Sequence, residues 1–89
     1  MDDERIKAIA EFEHIYRRLQ KKYNLLMHSC FSISGDNFIE IHEYNKNIKG
    51  DCICVVRDSD EVTCYKKAAE TLRGYEMIRG DKDDYTLLI

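Results

Sequence analysis

The sequence contains no proline and no tryptophan, and its four glycines are scattered rather than grouped. No segment is rich in glycine and serine and no stretch repeats another, so nothing marks a linker, a second domain or a repeat array. The glycines form no phosphate-cradling loop. The nucleophile elbow Gly-x-Ser-x-Gly, the zinc-protease pattern His-Glu-x-x-His and the acidic calcium loop are also missing. These absences argue against an enzyme built on one of the familiar motifs. Long apolar runs are lacking too. The longest uncharged, apolar-leaning stretch, Tyr23 to Ile33, is interrupted by Asn24, His28, Ser29 and Ser32, so no membrane span is expected.

Neither sign of charge dominates. Lysine and arginine number 14, aspartate and glutamate 17, and the net charge is −3. A nonspecific nucleic-acid binder is usually basic over the whole domain, and an acidic nucleic-acid mimic needs more carboxylates in tighter clusters. The opening Met1-Asp2-Asp3-Glu4 is acidic where a secretory signal is basic, which points to a cytoplasmic protein. In that compartment Cys30, Cys52, Cys54 and Cys64 are expected as thiols rather than disulfides.

What is present is ordinary globular material. The 89 residues are 44% hydrophobic and 35% charged, which fits one folded domain over residues 1–89. A chain of this size buries only about 60–65% of the surface it exposes when unfolded. Its stability margin is therefore modest, and a partner surface helps it.

Ile9, Phe12, Tyr16, Leu19, Tyr23 and Leu26 recur at spacings of three and four, which predicts one apolar stripe on a helix over residues 3–23. Asp2 or Asp3 caps its start, and Arg17, Arg18, Lys21 and Lys22 crowd its end, both in keeping with the helix dipole. Leu25, Met27, Ser29, Phe31 and Ile33 then alternate with more polar neighbours, Gly35-Asp36-Asn37 reads as a turn, and Phe38 to Tyr44 alternates again. Together they predict a hairpin, with Ile39 and Ile41 on one face and Glu40 and His42 on the other. After a polar connection at residues 45–50, the segment Asp51 to Arg57 is apolar on both faces. Such a strand is covered on both sides or faces a second subunit. Asp58 with Glu61 three residues on predicts a capped second helix, whose apolar side is Val62, Tyr65, Ala69 and Leu72. That helix either ends at Gly74 or, the favoured reading because Tyr75 and Ile78 keep a helical spacing, continues through Gly74 to Arg79 and stops at Gly80, followed by a polar turn at Asp81, Asp83 and Asp84. The final Tyr85–Ile89 forms an apolar tail or an extra strand. The expected fold is α+β: a small α-β-β-β-α domain whose antiparallel sheet packs against two helices.

Three groups of residues carry candidate chemistry. Cys52 and Cys54 lie two apart on a predicted strand, so both thiols share one face; with His28 and Cys30 they form a set of four zinc-type ligands. The plainer reading is that these cysteines serve as small apolar residues in a packed strand, and no cofactor or metal is expected. Cys64 lies near a helix N-terminus, which lowers a thiol's pKa, but Asp60 and Glu61 push the other way. Glu40 and His42 pair a carboxylate with an imidazole, but no nucleophile or oxyanion donor falls beside them; a polar outer strand face accounts for them, as solvent exposure accounts for His14. Finally, Arg17, Arg18, Lys21 and Lys22 make a basic strip that suits phosphates or an acidic partner.

These observations favour a noncatalytic protein–protein interaction module of regulatory or inhibitor type, working as a homodimer with a further protein partner. Two alternatives remain: a nucleic-acid-associated protein using the basic face of the first helix, and a small Cys/His zinc domain.

Overall fold

The computed structural model describes residues 3–45 and 48–87. Helix α1 spans Asp3–Lys22, with Asp3 and Glu4 in its first turn and Lys21 and Lys22 in its last. It buries Ala8, Phe12, Ile15, Tyr16 and Leu19, a wider stripe than the one expected, and Tyr23 N–H closes its end on the Leu19 carbonyl at 2.8 Å. The chain turns at once into strand β1, Leu25–Cys30, so Leu26 belongs to the sheet and not to the helical stripe. Strands β2, Asn37–Asn45, and β3, Ile48–Asp58, follow. The polar connection expected at residues 45–50 shrinks accordingly, because Ile48–Gly50 are already in β3; Lys46 and Asn47 lie outside the described residues.

The sheet is an antiparallel meander in the order β1-β2-β3. Its first connection depends on two residues. Gly35 takes φ +90°, a left-handed conformation that side chains disfavour. Asn37, buried to 6% exposure, accepts from Ser32 N–H at 3.0 Å and donates to the Ser59 carbonyl at 3.2 Å, tying the hairpin turn to the start of the second helix.

Helix α2 spans Glu61–Leu87. Its cap is Asp60 rather than Asp58: the Asp60 carboxylate accepts from Thr63 N–H at 3.0 Å and from the Thr63 hydroxyl at 2.6 Å. Asp58 instead accepts from Asp60 N–H at 2.9 Å and pairs with Lys67 at 3.0 Å. The helix passes through Gly74 and Gly80 without a break. Residues 81–84 are therefore helical rather than a turn, and Tyr85–Leu87 end α2 rather than adding a strand; Leu88 and Ile89 lie outside the described residues.

The two helices run parallel on one face of the sheet. Four exposed ion pairs, Arg5–Glu61, Glu4–Lys66, Glu11–Arg73 and Arg18–Glu76, lace them in register from end to end. Beneath them, Leu25, Ile39, Ile41, Cys54 and Val56 of the sheet join Phe12, Leu19, Cys64, Ala68 and Leu72 in the core. Phe31 stacks on Tyr65 at 4.7 Å and closes one end of this cluster; Tyr23 meets Tyr75 edge-on at 5.7 Å at the other. All helical cover lies on this inner face.

Candidate interaction surface

Strand alternation sends one side chain of each pair inward and the next outward. On β2, Ile39 and Ile41 are fully buried against the helices, so Phe38, Glu40, His42 and Tyr44 occupy the opposite face. The register completes that face in rows. Cys30, Phe38 and Arg57 form the first row, His28, Glu40 and Val55 the second, and Leu26, His42 and Cys52 the third. Lys49 stands opposite Tyr44 at the end.

The face mixes apolar and charged groups. Val55 is 60% exposed. The Arg57 guanidinium lies over the Phe38 ring, 4.9 Å from its centre. Glu40 accepts a hydrogen bond from His42 Nε2 and is approached by Lys49 at 3.5 Å. The His42 contact, and then Lys49, hold the Glu40 carboxyl below its ordinary range. His42 is the exception to the exposed polar face expected from the sequence. It is only 9% exposed, and its Nδ1 is enclosed with no hydrogen-bond partner among the described residues.

The proposed zinc ligands are not brought together. A β-bulge interrupts the β2–β3 register at Ile41/His42, so Cys52 pairs with His42 while Cys54 pairs with Ile41. Those two β2 residues are adjacent and face opposite sides. Cys54 is therefore buried in the core and Cys52 exposed on the outer face, which overturns the expectation that they share one. Ile53, the extra residue, packs partly against the core. His28 and Cys30 share the outer face, but β2 separates their strand from β3 by two strand spacings, roughly 10 Å. Among the described residues no group of three or more His, Cys, Asp or Glu side chains can hold a metal ion.

The thiols differ sharply in environment. Burial, and then the neighbouring thiols, push Cys54 up to about 12. Cys64 is wholly buried, its thiol 3.9 Å from the Val56 carbonyl. Burial, followed by the Asp58 charge, raises its pKa, so the helix N-terminus does not prevail there. Cys30 and Cys52 are exposed.

The basic strip lies at the exposed end of α1. Arg18 forms a two-pronged pair with Glu76, at 2.6 and 3.0 Å, and Arg17 reaches Gln20 at 3.4 Å. Lys22 borders a cleft shared with Tyr23, Glu43 and Arg79; Lys21 is exposed, as is His14. In the same cleft Arg79 lies over Tyr23 at 4.8 Å. Tyr75 donates to Glu43 at 3.2 Å and is pushed up to about 12 by burial and then by the Glu43 charge.

Phe38 and Arg57 were not among the residues singled out from sequence, and Leu26 was assigned to the helical stripe rather than to the sheet. The alternation of Phe38 with Ile39 carried a signal for Phe38, whereas Leu26 was masked by its fit to the helical spacing. Comparison of the chain with protein-family models, curated proteins and solved structures finds no match.

Proposed function

We propose that this chain is a noncatalytic protein–protein interaction module of regulatory or inhibitor type, working in the cytoplasm as a homodimer that engages a further protein. The observation that carries this proposal is the one-sided sheet: both helices pack on one face, while the other presents Phe38, Val55, Leu26 and Tyr44 beside charged groups. A three-stranded sheet with an uncovered, partly apolar face is the kind of surface that association covers. Four unpaired thiols in so short a chain suit a reducing compartment. The two buried thiols, both raised in pKa, are poorly suited to serve as nucleophiles. The basic end of α1 is a weaker basis for nucleic-acid binding, because Glu76 already engages Arg18.

Light scattering on the eluting full chain, over a wide range of loading concentrations, tests the homodimer. A mass rising from 10.5 kDa to twice that value is expected. A constant monomer mass at the highest concentration would remove the proposal's main support.

A further inference from the structure

We propose that Cys52 is a reversible modification site for low-molecular-weight disulfides, with His42 taking up its thiol proton. The site lies on the outer sheet face and uses only this chain's own residues.

Cross-strand pairing builds it. In the sequence Glu40 and His42 have no nucleophile beside them; the register supplies one, because Cys52 is the ladder partner of His42. Side chains directly opposite on an antiparallel pair share a face, with Cβ atoms about 4.5–5.5 Å apart. The bulge decides which residue that is. Cys54 pairs with Ile41, so an unbroken ladder would set Ile53 against His42; the extra residue brings Cys52 there instead. Thiol, imidazole and carboxylate then follow one another as they do around activated nucleophiles.

The imidazole is in the state a base requires. Glu40 accepts from Nε2, and its carboxyl is held ionised by that contact and then by Lys49. Nε2 therefore carries the hydrogen, and Nδ1 is a bare acceptor. His42 is nine-tenths buried, and Nδ1 has no hydrogen-bond partner among the described residues. An enclosed acceptor in that state is costly until a donor reaches it. Leu26, on the β1 side of His42, offers no donor, while Cys52, on the β3 side, offers its S–H. That thiol donates to the Cys54 carbonyl at 3.6 Å, and rotation about its first side-chain bond turns it toward Nδ1. The other titratable groups of this face near the pair are Tyr44 on β2, His28 one row away on β1 and Lys49 on β3. Glu43 and Asp51 border the cleft with Tyr23 and Arg79.

In the modification step the Cys52 proton passes to Nδ1 as the sulfur attacks one sulfur of the small disulfide. A new S–S bond forms at Cys52 and the old one breaks. The departing sulfur leaves with the electron pair and takes the proton from His42. One protein thiol and one small disulfide thus become one mixed disulfide and one small thiol, and excess small thiol reverses the exchange. No second thiol of the chain is placed to displace the adduct. Cys54 turns into the core with its thiol pushed up to about 12, and Cys64 is wholly buried. Cys30 lies on β1, two strand spacings or roughly 10 Å from β3, which is beyond disulfide reach.

Cys30 also supplies the control. It is exposed on the same face, but Phe38 stands opposite it in place of an imidazole. The Arg57 guanidinium over that ring favours a thiolate nearby, which makes Cys30 a demanding comparison. The reduced full chain, at high dilution, is treated with oxidised glutathione, and the adduct at each thiol is timed by peptide mass spectrometry from mildly acid to mildly alkaline pH. Cys52 is expected to react several-fold faster than Cys30 at neutral pH and to lose less of its rate as pH falls. Glu40→Gln keeps the side chain's size but no longer fixes the imidazole tautomer. In variants that melt cooperatively, Glu40→Gln and His42→Gln should each bring the Cys52 rate down to that of Cys30 and leave Cys30 unchanged. A Cys52 that reacts no faster than Cys30 across the pH range would overturn the site. A Cys52 that stays fast in Glu40→Gln would overturn His42 as its base.

Discussion

At Cys52 and Cys54, two residues of identical chemistry and near-identical sequence context end up in opposite environments. One ladder partner is His42, the other Ile41, and the bulge between them decides which thiol meets water. In dilute native protein, Cys30 and Cys52 should therefore react readily with a thiol reagent, while Cys54 and Cys64 should react only on unfolding; counting modified thiols before and after denaturant checks this. The pattern Cys-Ile-Cys-Val-Val gives no hint of the bulge, because an inserted residue leaves the composition of a doubly apolar strand unchanged. The alternation of β2, by contrast, was fully legible, since charged Glu40 lies between two isoleucines. The burial of His42 was not, because it depends on neighbours from β1 and β3 that only the register brings together.

At the same scale, Asp58 and Asp60 both have carboxyl pKa values held low. For Asp58 the leading cause is the Asp60 backbone N–H, followed by Lys67; for Asp60 it is the Thr63 hydroxyl, followed by the Thr63 N–H. A carboxylate whose pKa is lower folded than unfolded adds stability that is fully present above its unfolded value. That stability is lost as pH falls through the folded value. Acid titration of the melting temperature should show a decline beginning near the ordinary carboxylate range, and in Asp60→Ala this decline should be shallower. The variant should also melt several degrees lower at neutral pH, having lost its cap.

Among the elements, α2 is the one for which local propensity and observed structure most nearly conflict. It carries two internal glycines, and the sequence alone left Gly74 readable as a terminator or as a passenger. The spacing of Tyr75 and Ile78 favoured continuation, which the fold bears out. A methyl group at Gly74 meets nothing within 4 Å. Gly74→Ala should therefore stabilise the protein by about 0.5–1 kcal/mol, from helix propensity alone. Gly50→Ala should do the opposite, because its methyl would sit 2.9 Å from the Glu43 carbonyl oxygen where β3 irregularly approaches β2. Chemical denaturation of the two variants separates these signs. The capping signal pointed two residues too early: Asp58 has Glu61 at the capping-box offset, but β3 runs to Asp58, and Asp60 takes the cap instead.

For the molecule as a whole, the core is concentrated where the two parallel helices meet the inner sheet face. Leu72 is wholly buried there, and Leu72→Ala should cost about 2–5 kcal/mol in unfolding free energy, a large part of the margin of so small a domain. The α-β-β-β-α order was readable because each element carries its own period and the breaks between them are polar. The outer face was anticipated only as an excess of apolar strand surface on Cys52–Val56; its mixed make-up emerges once β2 is known to be the central strand. Apart from the largely enclosed His42, that face bears no part of the intrachain core, so changing its exposed residues should leave the fold intact while removing association. The most direct test is sedimentation equilibrium of the unaltered chain beside Val55→Glu, with melting curves for both. The expected result is a concentration-dependent dimer for the first and a monomer of matching melting temperature for the second. A Val55→Glu chain that dimerises as well as its parent, or a parent that never leaves the monomer, would contradict an association surface on the open sheet.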